Sequence, residues 1–391
     1  MNKIATYNSI SAAGLGCFPD NLFNIEHEST NPDAILCRSQ QITSEMLNPE
    51  LKAIARAGAG VDKICVEACT ENGIPVFNTP GANANAVNEL VLFSLILSSR
   101  NILDGIKFLK QSELSKMEPN AASKFIEQGK KQFSGEELKD KTLGIVGMGA
   151  IGSKVANTAI ALGMKVLGYD PQLMVDYALQ IHPGIIRSES LSEVLEQSDY
   201  LTLHLPMSAS TKDLMDWGLV SSLKPGIKLV NFSRAGIINQ EAVKKGLDEN
   251  IISRFVTDFY YPMLFEHPNV MTIPHLGAST KEAETNCVTM AAQQLTDFLT
   301  CGNIKNAVNF PKVFLAKNGG HRFSLTTTKE DSQLNTIIKM LMDFKIDTIQ
   351  MNSQTFRNLT YTLIETKQEI STEFIDKISE LNNVKSTRLL Y

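Results

Sequence analysis

The sequence has no apolar run long enough to cross a bilayer, which argues against a membrane-spanning helix. Its longest apolar stretch, residues 90–97, is short and is interrupted by Ser94. The first eight residues, MNKIATYN, also lack the apolar core of a secretory signal peptide. We therefore expect no membrane partner and a cytoplasmic location.

The sequence is equally poor in basic clusters and in paired cysteines. It carries 37 Lys and Arg against 42 Asp and Glu, a net charge of −5, so nucleic acid is not an expected partner. The six cysteines are scattered without the paired spacing of zinc sites, and we expect no metal. Cys65 and Cys69, four residues apart on a predicted helix, are better explained by packing than by redox chemistry.

What is present is an ordinary globular composition, with 43% hydrophobic residues in a chain of 391. A chain of this length accommodates two or three domains, each with an adequate core.

A glycine-rich loop follows the apolar strand that residues 143–146 predict. Gly147, Gly149 and Gly152 form a G-x-G-x-x-G motif that opens a predicted helix, and a second predicted strand ends at Asp170, about 18 residues further on. This order is typical of a dinucleotide site, where the helix N-terminus receives the pyrophosphate. An acid at that position accepts the ribose hydroxyls and repels a 2′-phosphate, so the motif favours NAD over NADP.

Polar side chains follow several later predicted strands of the same region. Arg234, Asp258 and His275 each come just past a strand end, where open α/β sheets place their ligands. Taken singly, such a histidine is more often structural and such an arginine more often solvated. Their repeated placement at one sheet edge favours a site.

The first hundred residues predict a separate α/β unit with two small-residue loops, 56–60 and 78–83. The first loop begins with Arg56 and offers backbone N–H groups to an anion. Both loops could also be simple connecting turns. The apolar helix predicted at 85–100 is expected to be buried between domains or subunits.

The last seventy residues predict the order βαββαβ, which indicates a small ferredoxin-like domain. The predicted fold class is therefore α/β, with two doubly wound parallel-sheet domains, the second of them a Rossmann NAD domain, plus this C-terminal domain.

With these features together, the chain resembles D-isomer-specific 2-hydroxyacid dehydrogenases, and among them the D-3-phosphoglycerate dehydrogenases that end in one ACT domain. The resemblance covers nearly the whole chain. It rests on residues 56–62 (RAGAGVD), 78–87 (NTPGANANAV), 147–152 (GMGAIG), 231–234 (NFSR), 274–280 (PHLGAST) and 302–308 (GNIKNAV). It implies a substrate domain at 1–100 and 283–311, a dinucleotide-binding domain at 101–282 and an ACT-like domain at 318–391.

The resemblance also implies site residues. Arg234 would hold the substrate carboxylate, His275 would be the general base, and Arg38, Arg56 and Asn83 would face the substrate. The residues expected to bind NAD are Thr79, Gly147, Gly149, Ala150, Ile151, Gly152, Asp170, Leu205, Phe232, Ser233, Asp258, Gly277 and Ala278.

The chain departs from the family in two places. The family usually pairs its histidine with a glutamate a few residues after the aspartate, but residues 259–263 (FYYPM) contain no acid, and Glu266 does not match in position. The loop at 327–331 (TTKED) lacks the proline and glycine of the turn that helps to bind serine. Whether this domain binds serine is therefore open.

The resemblance implies NAD-dependent oxidation of 3-phosphoglycerate to 3-phosphohydroxypyruvate, the first step of serine biosynthesis, by a homodimer or homotetramer. Two alternatives stay open. One is a dehydrogenase for another 2-hydroxy acid, since arginines also bind carboxylates. The other is an NAD-binding sensor or scaffold that has lost catalysis, which the missing glutamate favours.

Overall fold

The computed structural model describes residues 1–8, 10–111, 113–329 and 333–390. The chain forms two compact units, Met1–Asn83 together with Lys281–Tyr391, and Ala84–Thr280. The division into three domains at the boundaries given above stays a prediction.

The first unit begins with a five-stranded parallel sheet. Its strands are β1 (Asn2–Tyr7), β2 (Phe23–His27), β3 (Ala34–Cys37), β4 (Ala53–Arg56) and β5 (Val76–Phe77), in the order β2-β1-β3-β4-β5. Two short helices, α1 (Ala12–Leu15) and α2 (Val66–Glu71), lie between strands. All four residues of β3 are buried, as expected of a central strand covered on both faces.

The second unit opens with three helices, α3 (Ala84–Ser99), α4 (Ile102–Gln111) and α5 (Pro119–Gly129). A seven-stranded parallel sheet follows, in the order β12-β11-β10-β9-β6-β7-β8. Its elements are β6 (Thr142–Val146), α6 (Gly152–Ala161), β7 (Lys165–Tyr169), α7 (Val175–Ala178), β8 (Ile186–Arg187), α8 (Leu191–Gln197), β9 (Tyr200–Leu203), α9 (Trp217–Ser221), β10 (Ile227–Asn231), α10 (Gln240–Asp248), β11 (Ile252–Thr257) and β12 (Val270–Thr272). The strand order reverses between β6 and β9, which is the switch point of a Rossmann fold.

The chain returns to the first unit through α11 (Lys281–Cys301) and ends in a four-stranded antiparallel sheet. Its elements are β13 (His321–Thr328), α12 (Leu334–Asp343), β14 (Thr348–Phe356), β15 (Leu359–Thr366), α13 (Thr372–Ser379) and β16 (Val384–Leu390), with the strand order β14-β15-β13-β16. Phe323 and Ile364 pack with Phe374 of α13 in one core. Tyr361 and Leu363 belong to a second core.

The predicted fold class is confirmed, with two parallel sheets and a βαββαβ unit. Two differences are local. Strand β2 was not anticipated, and the segment interpreted as a polar connection, 112–140, contains helix α5. Its Phe125 stacks on Phe108 of α4, with ring centroids 5.2 Å apart and planes at 8°, so an aromatic contact anchors a lysine-rich segment.

Among the described residues, no single helix has the length and apolar character needed to cross a membrane. Helices α3 and α4 reach that length and apolar character only when they are counted together, and the pair is bent by 69° at its junction.

Candidate active site

The glycine-rich loop connects β6 to α6 in the second unit. Gly147 has φ +94°, and a Cβ there would lie 2.5 Å from the carbonyl oxygen of His204. A Cβ on Gly152 would collide with the carbonyl oxygen of Gly147. A Cβ on Gly149 would meet nothing within 4 Å. Two glycines are thus required by packing, and the third leaves an open approach to the backbone.

Helix α6 presents an uncapped N-terminus to this loop. No side chain forms a hydrogen bond that caps the helix at Ile151. N–H groups at such an end attract an anion because they lack helical partners and carry partial positive charge. The loop therefore fits a pyrophosphate, with Ala150 and Ile151 at the position predicted for that contact.

Asp170 follows the end of β7 and points to the same loop. Its carboxylate accepts the backbone N–H groups of Met148 and Gln172, both at 2.9 Å. A cavity of about 230 Å³ opens beside it, with Met148, Gly168 and Ile185 in its wall and Arg187 also lining it. The acid is therefore held in place by backbone groups next to a largely apolar cavity, as a ribose contact requires.

At the end of β10, a buried asparagine organises the predicted substrate arginine. The Asn231 side chain accepts hydrogen bonds from the Ser233 hydroxyl at 2.7 Å and from its N–H at 3.1 Å. Its Nδ2 donates to the carbonyl oxygen of Arg234 at 3.0 Å and reaches the hydroxyl of Tyr261 at 3.1 Å. Arg234 itself donates from Nη1 to the carbonyl of Ser233 at 2.7 Å. The guanidinium is thus anchored through one nitrogen.

Asp258 follows β11 and is only 4% exposed. Its Oδ2 accepts a long hydrogen bond of 3.4 Å from the N–H of Gly277, while its buried Oδ1 has no partner among the described residues. Burial raises the pKa of Asp258, and the charges of His275 and Arg234 oppose that rise. The unpaired oxygen is a ready acceptor for an amide N–H of a ligand.

His275 is exposed and contacts an aromatic ring. Its ring centroid lies 5.1 Å from that of Phe259, with the two planes at 78°. Within the part of the chain that the structure describes, no carboxylate oxygen lies within 4 Å of its ring nitrogens. Glu266, the first acid after residues 259–263, is also exposed.

The remaining predicted cofactor residues of this unit lie at the same ends of the sheet. Leu205 follows β9, Phe232 follows β10, and Gly277 and Ala278 follow β12. Phe232 and Gly277 are buried, so their contribution to a site would come mainly from backbone and surface shape.

The predicted residues of the first unit form a second group. Arg56 ends β4 and donates from Nε to the carbonyl of Arg38 at 2.9 Å and from Nη1 to the carbonyl of Gly60. Arg38 forms an ion pair with Glu284 at 2.8 Å. These bonds fix both guanidinium groups beside one loop.

The two loops singled out from the sequence are bonded to each other. The N–H of Thr79 donates to the carbonyl of Gly58 at 3.0 Å, and Nδ2 of Asn78 donates to the carbonyl of Ala59 at 2.6 Å. Thr79 is fully buried and Asn83 is half-buried. The structure thus brings together Arg38, Arg56 and the loop that contains Thr79 and Asn83.

Three contributing residues were not anticipated. Asn231 lies inside a motif quoted above but had no assigned role. Nothing in the sequence around Tyr261 or His204 indicated a role for either residue. Burial lowers the pKa of His204 to about 3, so the ring is neutral, and it pairs with the Thr202 hydroxyl at 3.0 Å. The Asn231–Tyr261 contact, in contrast, joins residues 30 positions apart and depends on the folded sheet.

Comparison with known proteins defines the class. Residues 95–277 match the family described as D-isomer specific 2-hydroxyacid dehydrogenase, NAD binding domain. This match covers just under half of the chain, and over that part it confirms the resemblance and the predicted cofactor.

More particular relatives are D-3-phosphoglycerate dehydrogenases. The protein of that name from Synechocystis sp. is 37% identical over 288 residues, which are 71% of this chain and 49% of the relative. The one from Bacillus subtilis is 34% identical over 300 residues, 74% of this chain and 54% of the relative. The chain thus spans about half the length of the curated relatives it matches.

Solved structures agree on the fold. The crystal structure of NAD+-bound 3-phosphoglycerate dehydrogenase from Entamoeba histolytica superposes with a TM-score of 0.61 at 26% identity, covering 80% of this chain and 99% of that one. D-2-hydroxyisocaproate dehydrogenase gives a TM-score of 0.65 at 23% identity, covering 78% and 99%, and supports the fold alone.

Proposed function

We propose that this chain oxidises 3-phosphoglycerate to 3-phosphohydroxypyruvate with NAD. The observation that carries the proposal is the cluster of Arg234, Asp258 and His275 at the ends of adjacent parallel strands, with one buried oxygen of Asp258 unpaired. The names of the relatives supply the substrate, and the position of this reaction at the start of serine biosynthesis follows from it.

The chain's own residues suit the cofactor. The open backbone at Gly149 and the uncapped start of α6 would hold the pyrophosphate, and Asp170 the adenosine ribose. The unpaired Oδ1 of Asp258 would accept the carboxamide N–H of the nicotinamide. When bound, NAD accepts the hydride from C2 of the substrate.

Two side chains would carry the rest of the reaction. Arg234 keeps donors beyond the Nη1 that Ser233 anchors, so it can bind the substrate carboxylate and polarise the C2 oxygen. A ring nitrogen of His275 would take the C2 hydroxyl proton as the C–H bond breaks, leaving a ketone and an imidazolium. The proton then passes to solvent, to which His275 is exposed.

The phosphate of the substrate would be bound by the arginines of the first unit. Arg56 donates to the backbone carbonyls of Arg38 and Gly60, which fix its guanidinium beside the loop. Arg38 is the weaker candidate because Glu284 already compensates its charge at 2.8 Å. We therefore take Arg56 as the first candidate for the phosphate contact.

The test is a steady-state assay of the purified chain against a panel of 2-hydroxy acids with NAD and with NADP. We expect 3-phosphoglycerate and NAD to give the highest kcat/KM. His275→Ala should lower kcat at least about 100-fold, the usual contribution of a general base, while Glu266→Ala changes it little. A preferred substrate without phosphate would replace the proposal by the first alternative.

His275 is exposed, and in the described part of the chain no carboxylate oxygen lies within 4 Å of its ring nitrogens; this favours the second alternative, an NAD-binding sensor or scaffold. It predicts unchanged NAD affinity with no turnover on any acid in the panel. Fluorescence titration of NAD beside the assay separates the two functions. Equal activity of His275→Ala and the unaltered chain would also rule out the catalytic role.

We further propose a homo-oligomer. Helices α3 and α4 expose large apolar side chains, including Phe93 at 50%, Ile96 at 42% and Ile106 at 43%. Apolar surface of this kind usually marks a protein–protein contact. Light scattering after size exclusion should give at least twice the mass of one chain, and Ile106→Glu should lower it.

A further inference from the structure

A half-buried arginine with one fully buried guanidinium nitrogen lies in the C-terminal part of the first unit. Nη1 of Arg388, on β16, is buried and has no hydrogen-bond partner among the described residues. Nη2 makes only long contacts, 3.5 Å to the carbonyl of Phe298 and 3.4 Å to that of Leu299. The guanidinium carbon also lies 4.3 Å from the ring centroid of Phe298.

This arginine is poorly compensated for a buried charge. Burial lowers the pKa of its guanidinium, and within the described ranges no carboxylate oxygen lies within 4 Å of it. The carbonyls at the end of α11 supply part of the balance through the helix dipole. A buried donor that stays unpaired is costly, so an acceptor on a ligand would stabilise this guanidinium.

The same arginine lines a cavity of about 380 Å³ between the two sheets of the first unit. Other polar side chains in its wall are Ser324, Thr326, Tyr361, Lys385, Ser386 and Thr387. A neighbouring cavity of about 550 Å³ shares Arg388, Lys52 and Thr387. Hydroxyl and cationic groups around an open volume are the donors that an oxyanion needs.

Two acids also line the first cavity, and neither forms an ion pair with Arg388, although the charge of Asp33 partly opposes the lowering of its pKa. Asp33 binds Nζ of Lys52 at 2.6 Å and the N–H of Lys3 at 2.7 Å. Burial works to raise the pKa of Asp33, but these bonds outweigh it and keep the group charged. Glu50 is exposed. Because Lys52 already pairs with Asp33, the charges of Lys385 and Arg388 make the cavity net positive.

We propose that this cavity binds a small oxyanion, a carboxylate or a phosphate, through Arg388 and Lys385 with help from the lining hydroxyl groups. None of these residues belongs to the candidate dehydrogenase site, so the proposal stands apart from the proposed function. The volume admits an anion larger than inorganic phosphate, so the physiological ligand can carry further polar groups that the hydroxyls recognise.

The test is calorimetric titration of the full chain with inorganic phosphate in one arm and malonate in the other. Saturating NAD is present throughout, so that the dinucleotide site is occupied. Arg388→Met should weaken binding of the preferred anion at least tenfold. The matched control is Arg357→Met, which removes an arginine of the same sheet that does not line either cavity and should leave the affinity unchanged.

The two arms identify the anion class, since a phosphate site and a carboxylate site would each respond to only one probe. If Arg388→Met fails to fold, exposed Lys385→Gln provides the second test and should weaken binding at least threefold. If Arg388→Met folds and binds the anion with unchanged affinity, the proposal is overturned. If only Lys385→Gln folds, unchanged anion affinity in that variant overturns it. Absence of binding in both arms would do the same.

Discussion

The buried ion pair of the C-terminal sheet gives the sharpest stability prediction. Arg322 is 1% and Glu365 0% exposed in their side chains, and Nε and Nη2 of the arginine reach Oε2 at 3.0 and 2.6 Å. Oε1 accepts the N–H groups of Asn318 and Gly320, both at 2.8 Å. Gln350 donates to Oε2 at 2.7 Å. Five donors therefore converge on one carboxylate.

Glu365→Ala removes the acceptor of all five donors at once and leaves Arg322 charged in the core. Breaking a buried pair by deleting one partner costs about 3–5 kcal/mol. This is a large share of the roughly 5–15 kcal/mol that holds a domain folded. The surface control is Glu373→Ala, which breaks the exposed contact with Lys377 at 2.8 Å and should change the free energy of unfolding little.

Urea unfolding followed by circular dichroism measures both variants, and the free energy of unfolding is compared at neutral pH. Equal losses for Glu365→Ala and Glu373→Ala would refute the reasoning. So would full stability of Glu365→Ala, because it would mean that Arg322 is compensated without the carboxylate.

The same group predicts the acid limit of stability. Burial alone would raise the pKa of Glu365, but hydrogen bonds from Gln350, the N–H of Gly320 and Arg322 outweigh it and lower the pKa from 4.5 to about 2. Because the pKa of Glu365 is lower in the folded protein, its charged form stabilises the fold fully at pH values above the pKa of the unfolded chain. That stability is lost as pH falls from 4.5 towards 2. The shift corresponds to about 3 kcal/mol of stability. In the Glu365→Gln variant, the free energy of unfolding should lose this dependence on pH in that window.

Three further predictions concern ligands. Asp170→Ala should narrow the preference for NAD over NADP in kcat/KM, and equal use of both cofactors by the unaltered chain would contradict the role of the acid. Arg56→Ala should weaken 3-phosphoglycerate by about 1.5–3 kcal/mol, roughly 10- to 150-fold, and a substrate without phosphate much less; equal losses would mean that Arg56 only supports its loop. Serine should inhibit weakly or not at all, because the 327–331 loop lacks the expected turn residues. Two residues of this loop, Glu330 and Asp331, lie outside the described residues. Tight serine binding in calorimetry would contradict this prediction.

The dinucleotide loop could be predicted from the sequence because its conformational and packing requirements are local. A turn with φ +94° at Gly147 and close packing at Gly152 can each be met only by glycine, so they leave a readable motif. The strand-end positions of Arg234, Asp258 and His275 were also predictable, because parallel strands end at the same edge. Their roles in the reaction stay predictions.

Elements whose stability comes from distant partners were not predictable. Strand β2 has one buried residue in five and acquires its identity from parallel pairing with β1. Helix α5 looks polar in sequence, yet Phe125 fixes it on Phe108. The Asn231–Tyr261 contact joins residues 30 positions apart, at 3.1 Å, and only the folded sheet brings them together.

The last prediction addresses how His275 is oriented when no carboxylate lies beside it. The edge-to-face contact with Phe259, at 5.1 Å and 78°, is the observed restraint on the imidazole ring. Such aromatic contacts contribute about 0.5–1.5 kcal/mol. If this contact holds the ring in its reactive orientation, Phe259→Ala should lower kcat roughly 2- to 12-fold while leaving NAD affinity unchanged.

A matched control lies in the same loop. Phe265 contacts Tyr260 with ring centroids 5.2 Å apart and planes at 63°, and Phe265→Ala removes a similar contact that does not involve His275. A general loss of loop order would lower kcat in both variants and change KM as well. A loss confined to kcat in Phe259→Ala, with the pH dependence of kcat altered in that variant alone, would identify Phe259 as a positioning residue. Unchanged kcat in Phe259→Ala would mean that the ring contact does not orient the base, and the orientation would then have to arise when substrate binds.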